Sequence, residues 1–234
     1  RPGHISSQIG LSSVYNKKGF FDQATKTLEL MIKKNLSSKD PNLALARLNL
    51  GELYGKTRKI EKAITEWKAA IKINPSLLPA HFNLGTAYMM KGKLQLAESA
   101  FELCLKLNNH YEPALFNLAK VYQRQEKWAE STQQFKAFLE VAGPRPSAYT
   151  QMGFNLNRQS DWDNAKHFLE KSISLQPEDI NTRITLAETF TNLAQIKKAH
   201  EHLTTALKMH PNPNQIEAIN NMMLSLTSLK TTTP

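Results

Sequence analysis

The chain has a single cysteine, Cys104, which excludes an internal disulfide framework and any metal site built on several thiolates. Cys104 itself is expected to be a small apolar core residue. No run of eighteen apolar residues occurs, so nothing within the chain is predicted to span a membrane. Nine Gly and eleven Pro leave little material for flexible linkers. With 41% hydrophobic and only 21% charged residues, the chain lacks the charge density of a disordered polymer and has the apolar content of a folded body. It opens at Arg1 without a Met. The native N-terminus is expected upstream, which leaves open a signal peptide, an anchor or a further domain, and the compartment with it, cytoplasm or periplasm. Acidic residues are the scarcer charge, 20 against 30 Lys and Arg, for a formal +10. That balance brings in nucleic acid, anionic lipid and acidic protein as partner classes.

Catalytic and cofactor signatures are missing too. Gly51-Glu52-Leu53-Tyr54-Gly55-Lys56-Thr57 approaches a phosphate-binding loop, but that loop needs four residues between its glycines and here there are three. The segment also falls inside a predicted helix, whose amides are already bonded. His200 and His202 stand two apart on a predicted helix and point away from each other, so they read as a solvated pair rather than metal ligands. His81 occupies a slot for a large packing residue. No nucleophile elbow, dinucleotide glycine fingerprint or motif-spaced catalytic pair is present. The expectation is no enzyme, no cofactor, no metal and no small-molecule substrate. Asn35-Leu36-Ser37 has the form of a glycosylation sequon, which has meaning only in a secretory compartment.

What is present is a period. Asn49-Leu50-Gly51, Asn83-Leu84-Gly85, Asn117-Leu118-Ala119, Gln151-Met152-Gly153 and Thr185-Leu186-Ala187 follow one another at 34 residues without drift. Three residues after the small one comes a large one: Tyr54, Tyr88, Tyr122, Leu156 and Phe190. Twelve after it comes a second small one, Ala63, Ala97, Ser131, Ala165 and Ala199, and four later a bulky one, Trp67, Phe101, Phe135, Leu169 and Leu203. The spacing predicts two helices per unit, approaching closely where one surface lacks a side chain. A helix-interior Gly costs roughly 1 kcal/mol against Ala, so Gly51, Gly85 and Gly153 must be offset by packing.

Pro75, Pro177 and Pro211 mark one repeat position where the second helix must stop. Gly143 and Asn109 stand there in the other units and suit a left-handed helix stop. An earlier, looser unit carries Leu11, Ser12, Tyr15, Gly19, Phe21, Ala24 and Leu28, followed by five extra residues; Asn35 to Pro41 reads as a polar loop or a longer second helix. Asn214 to Lys230 is amphipathic through Ile216, Ile219, Met223 and Leu226 and lacks a hairpin partner, so it is expected to cap the last unit, with Lys230 to Pro234 frayed.

The unit Leu78 to Tyr111, with Ala80, Asn83, Leu84, Gly85, Ala87, Tyr88, Gly92, Ala97, Phe101 and Leu107, resembles the tetratricopeptide repeat (TPR) consensus, and the likeness runs from Ile5 to the cap. Ser131, Leu156 and the five-residue insertion depart from it. The resemblance implies an all-α fold: a right-handed α-solenoid superhelix of six TPR hairpins, residues 5–43, 44–77, 78–111, 112–145, 146–179 and 180–213, with a capping helix at 214–230, all in one domain, 1–234.

It also implies that the first helices line an inner groove that takes extended or helical peptides. By repeat phase that wall holds Leu48, Asn49, Glu52 and Lys56, then Phe82, Asn83, Thr86, Met89 and Met90. The next units give Phe116, Asn117, Lys120, Gln123 and Arg124, then Thr150, Gln151, Phe154, Asn157 and Arg158, and last Ile184, Thr185, Glu188 and Asn192. Asn49, Asn83 and Asn117 either form an amide ladder for a peptide backbone or bond within the hairpins. Phe82, Phe116, Phe154, Met89 and Met90 beside Lys120, Arg124 and Arg158 either present an apolar floor with cations, which fits a ligand with apolar anchors and acidic flanks, or pack between repeats.

Only four cations against Glu52 and Glu188 on this wall disfavour nucleic acid, which needs a denser cationic stripe with stacking residues. The leading expectation is a protein-interaction scaffold or adaptor, of bacterial character and serving an envelope, secretion or pilus assembly. An RNA-binding solenoid with a basic face and a regulatory TPR domain of a larger protein are the alternatives. The lysine pairing of the clamp that grips a partner's C-terminal carboxylate is not reproduced, so chaperone tails are not expected ligands. Stacking of the end repeats on further copies, a homo-oligomer, stays open.

Overall fold

The computed structural model describes the backbone of residues 2–36 and 40–231 and the side chains of 5–36 and 40–227. Among them are thirteen helices and no strand: α1 (Pro2–Lys17), α2 (Phe21–Lys34), α3 (Asn42–Lys56), α4 (Ile60–Ile73), α5 (Leu78–Met90), α6 (Leu94–Leu107), α7 (Glu112–Arg124), α8 (Trp128–Ala142), α9 (Pro146–Arg158), α10 (Trp162–Leu175), α11 (Ile180–Asn192), α12 (Ile196–Leu207) and α13 (Pro213–Thr231). The chain divides into two compact units, residues 1–114 and 115–234. Within the first, α1 pairs with α2, α3 with α4 and α5 with α6. Within the second, α9 pairs with α10 and α11 with α12, and α13 covers α11 and α12. The α7–α8 pair is tied by Ser131 Oγ, which donates to Ala119 O at 2.9 Å.

The small-against-large pattern is what closes the hairpins. A Cβ added to Gly85 would stand 2.7 Å from Phe101 Cε1, and one on Gly51 or Gly153 would enter the Trp67 ring or the Leu169 side chain. Ala63, Ala97, Ser131, Ala165 and Ala199 are all fully buried, as are Phe101, Phe135, Leu169 and Leu203. Cys104 is buried with them, and burial pushes its thiol up to about 12, so it is an inert core group. First helices touch one another in succession, α1 with α3, α3 with α5 and, in the second unit, α9 with α11, whereas the second helices make no comparable contact among the described residues. Within each unit the row therefore closes up on its first-helix side and opens grooves on the other.

Hairpin closure also imposes a backbone requirement. Gly92 turns the chain at φ +69°, and at the same repeat phase Arg58, Glu126, Ser160 and Ala194 are held at φ 56° to 59°, a conformation costing an L residue roughly 1–2 kcal/mol. The stops between hairpins follow a different rule. Gly143 is left-handed at φ +71° as expected, but Asn109 is not. Helix α6 ends instead at Asn108, extended at φ −151°, whose Oδ1 accepts from His110 N at 3.0 Å. Asn74 does the same for Ser76 N at 3.1 Å. Because the residue before a proline is disfavoured in the α region, α4 and α10 stop two residues ahead of Pro75 and Pro177. Helix α2 ends at Lys34, with Asn35 and Leu36 in a turn; residues 37–39, with Ser37 of the sequon, lie outside the described residues, while Asn35 Nδ2 donates back to Met31 O at 2.8 Å. Lys230 and Thr231 are helical, and residues 232–234 lie outside the description.

One histidine expectation is corrected. His81 is a packing residue, buried with Nε2 2.8 Å from Pro75 O. His200 is exposed, but His202 is not solvated: its ring stacks on Phe190, centroids 5.4 Å apart, and its Nδ1 is buried without a partner. Burial, aided by Arg183, holds its pKa below the usual 6.5. The unfolded chain therefore takes up this proton first in acid, and stability falls as pH drops from 6.5 toward the folded value. His202→Phe keeps the stack and removes the unpaired nitrogen. It is expected to gain about 1 kcal/mol at neutral pH and to flatten that acid loss, measured by thermal unfolding across the pH range.

Candidate functional site

The residues assigned to the inner wall fall into two groups, one in each unit. In the first, α3 carries Asn49, Glu52 and Lys56 and α5 carries Phe82, Asn83, Met89 and Met90. The Asn83 side chain hydrogen-bonds the Glu52 carboxylate, so this member of the supposed amide ladder is engaged between neighbouring hairpins. Burial pushes the Glu52 carboxyl above the usual carboxylate range, while Asn83 and Lys56 pull it back. Lys56 Nζ donates to Asn16 Oδ1 at 2.9 Å and lies 6.0 Å from the Phe21 ring. Asn49 and Glu52 line a small polar cavity of about 80 Å³ with Ser12, Ser13 and Asn16. Phe82 is half-buried, edge-on to Tyr111 (5.5 Å) and tilted on Phe101 (5.8 Å). Met89 is half-buried and Met90 is 68% exposed.

In the second unit, α7 carries Phe116, Asn117, Lys120 and Arg124 and α9 carries Gln151, Phe154 and Arg158. Phe116 packs edge-on against Phe135 and Phe138, at 5.4 and 5.3 Å, and Phe154 against Trp128 at 5.9 Å. Each ring also carries a cation: Lys120 Nζ is 5.7 Å from the Phe116 centroid and the Arg158 guanidinium 4.9 Å from that of Phe154. The packing reading of these two aromatics therefore holds, and each ring also has a cation at its face. Arg124 is exposed, and Asn117 and Gln151 are half-buried.

Three residues placed on the wall by phase are buried instead. Leu48, Thr150 and Asn157 lie in helix contacts. Thr150 Oγ1 joins Ser172 Oγ at 2.8 Å and Thr182 Oγ1 at 2.6 Å, and Asn157 Oδ1 accepts from Thr189 Oγ1 at 3.0 Å. Sequence reasoning passed over Asn155, fully buried, which accepts from Gln123 Nε2 at 2.7 Å and donates to Ser131 Oγ at 2.8 Å. A signal existed: Asn155 stands at the phase of Leu53, Ala87 and Val121.

Two family profiles match these helices, one described as TPR repeat over residues 59–92, which span α4 and α5, and one as Tetratricopeptide repeat over 79–111, which span the α5–α6 hairpin. The chain is a tetratricopeptide repeat protein. Its TPR fold is shared with a tetratricopeptide repeat protein from Parabacteroides merdae ATCC 43184, 18% identical, with 94% of this chain and 86% of that one covered and a TM-score of 0.76. YrrB, a TPR protein with an unusual peptide-binding site, is 19% identical over 83% of this chain and 96% of its own, with a TM-score of 0.71. PilF of Pseudomonas aeruginosa is 15% identical over 93% and 96%, with a TM-score of 0.70. No curated protein sequence matches the chain. Among the described residues no helix of this TPR protein is long and apolar enough to cross a membrane.

Proposed function

We propose that this TPR protein is a non-catalytic scaffold that binds peptide segments of partner proteins on the first-helix side of its hairpins. The observation that carries the reading is the pair of ring-seated cations in the second unit, Lys120 on Phe116 and Arg158 on Phe154. A cation held over a ring face is positioned before the ligand arrives, so its partner's carboxylate meets a charge that needs little further ordering. The half-buried ring edges beside it offer apolar contact, and the fit is to a segment with apolar anchors and acidic flanks. YrrB, which shares the fold, is itself a TPR protein with a peptide-binding site, and the setting we favour is a bacterial envelope, secretion or pilus assembly.

Reversing Lys120, Arg124 and Arg158 to Glu tests this. Affinity-captured partner should drop by about tenfold or more, with the melting transition little changed because Arg124 is exposed and the other two lie over half-buried rings. Equal recovery of the partner by the triple variant sinks the assignment. RNA bound to a basic outer face is the rival, and its supporting observation is that the first unit holds 17 Lys and Arg against nine Asp and Glu, and the second 13 against 11. That reading requires affinity to fall steeply with salt and to ignore the triple reversal.

A further inference from the structure

On the side away from the inner wall, grooves run between successive second helices, each floored by a first helix. At one repeat phase the later second helix sends a side chain into the groove. Between α2 and α4 it is Glu66, which pairs with Arg47 at 2.7 Å beside Leu50 and Tyr54 and leaves a space of about 300 Å³ open. Between α8 and α10 it is Phe168, stacked on Tyr149 with centroids 6.1 Å apart and planes 15° off parallel, with Lys171 Nζ 5.7 Å from its ring. Between α10 and α12 it is His202, stacked on Phe190.

Between α4 and α6 the same phase holds Ala100. Its methyl cannot plug the groove, and a space of about 280 Å³ stays open, floored by His81, Leu84 and Tyr88 and walled by Ile71, Leu96 and Leu103. Leu96 and Leu103 are 48% and 42% exposed. A lone exposed leucine is ordinary, but these two stand seven residues apart on one helix face and border one cleft. The floor is preset: His81 is fixed by its contact with Pro75 O and occupies the phase of Tyr149, and Tyr88 occupies the phase of Phe190. Lys68 lies at the rim, its ammonium 6.0 Å from the Tyr88 ring, and Lys72 is exposed one turn along.

We propose that this groove is a docking site for an aromatic side chain presented by a partner protein segment with acidic flanking residues. The occupant's chemistry is read from the two sister grooves of the second unit, where the chain supplies a ring of its own, Phe168 or His202, to stack on the floor. Here the floor rings and apolar walls are in place and the plug is missing, so the ring comes from a second protein. Lys68 and Lys72 set the sign of the flanking charge. The site lies on the opposite side of the hairpins from the inner wall and is independent of it.

The probe is acetyl-Asp-Glu-Phe-Glu-Asp-amide, titrated into the full chain and followed by NMR at the Leu96 and Leu103 methyls and the His81 ring. Saturable shifts at these positions are expected, and the same peptide with Ala for Phe should produce none. Ala100→Phe fills the groove as Phe168 fills its own; it should weaken binding by about tenfold or more while keeping the melting temperature. Leu103→Ser, at an exposed position, should weaken it too and serves as the second variant. No saturation at millimolar peptide overturns the proposal, as do shifts confined to Lys120 and Arg158 on the inner wall. A concentration-dependent dimer of the free chain that Ala100→Phe dissociates also overturns it, by giving the groove to a second copy.

Discussion

Gly85→Leu is expected to destabilise the chain by about 1 to 3 kcal/mol or more, read as a lowered melting transition by circular dichroism. The first added carbon would stand 2.7 Å from Phe101 Cε1 and 2.9 Å from its Cδ1 and Cζ. Phe101 cannot yield, because it is fully buried and Phe82 leans on its ring at 5.8 Å. Leucine is one of the better helix formers, so propensity alone would make the variant more stable by the better part of 1 kcal/mol. The sign of the effect therefore separates packing from propensity. A variant that melts with the wild type would remove the close contact from the account of why the hairpins form. Gly85→Ala with Phe101→Leu in the same chain should recover part of the loss, since the ring is what the new carbon meets.

Close contact explains why the hairpins were legible in the sequence. Where two helices touch backbone to side chain, residue size is constrained at a fixed place in every unit, and Gly51, Gly85 and Gly153 against Trp67, Phe101 and Leu169 record it. The turns inside the hairpins left a fainter record: Gly19 and Gly92 suit the left-handed backbone, but Arg58, Glu126, Ser160 and Ala194 share it without common chemistry, because closure of the hairpin imposes the angle and the chain tolerates the strain. The wall was legible by direction and not by depth. Helical phase says which way a side chain points, but the tightness of the neighbouring contact decides whether it emerges, and Leu48, Thr150 and Asn157 do not. His202 shows the same limit. It diverges from His200 as two-residue spacing requires, and the direction it takes ends on Phe190. The unplugged groove at Ala100 was within reach, since one small residue in a column that also holds Phe168 and His202 is visible in the sequence once those two are known to fill their grooves.

Polar residues at apolar phases form the seams of the second unit, and Asn155 is the one whose loss should cost most there. Asn155→Ala is expected to destabilise by about 2 to 4 kcal/mol, combining a cavity with buried groups that lose their partners. Three bonds go at once: the one from Gln123, the one to Ser131 and a longer one to Thr132 Oγ1 at 3.3 Å. Ser131 keeps its bond to Ala119 O, and half-buried Gln123 can turn to water, which sets the upper bound. Asn155→Leu with Ser131→Ala brings in apolar residues found at these two phases elsewhere in the chain, at Leu53 and at Ala63. Removing both partners and refilling the volume is close to neutral where removing one is not, so this pair should unfold in urea well above Asn155→Ala. If Asn155→Ala unfolds at the wild-type midpoint, the buried amide contributes no stability and the seam is held by its apolar neighbours alone. If the apolar pair outdoes the wild type, the amide is kept for the alignment of α7, α8 and α9, a task that a directional bond performs and a leucine does not.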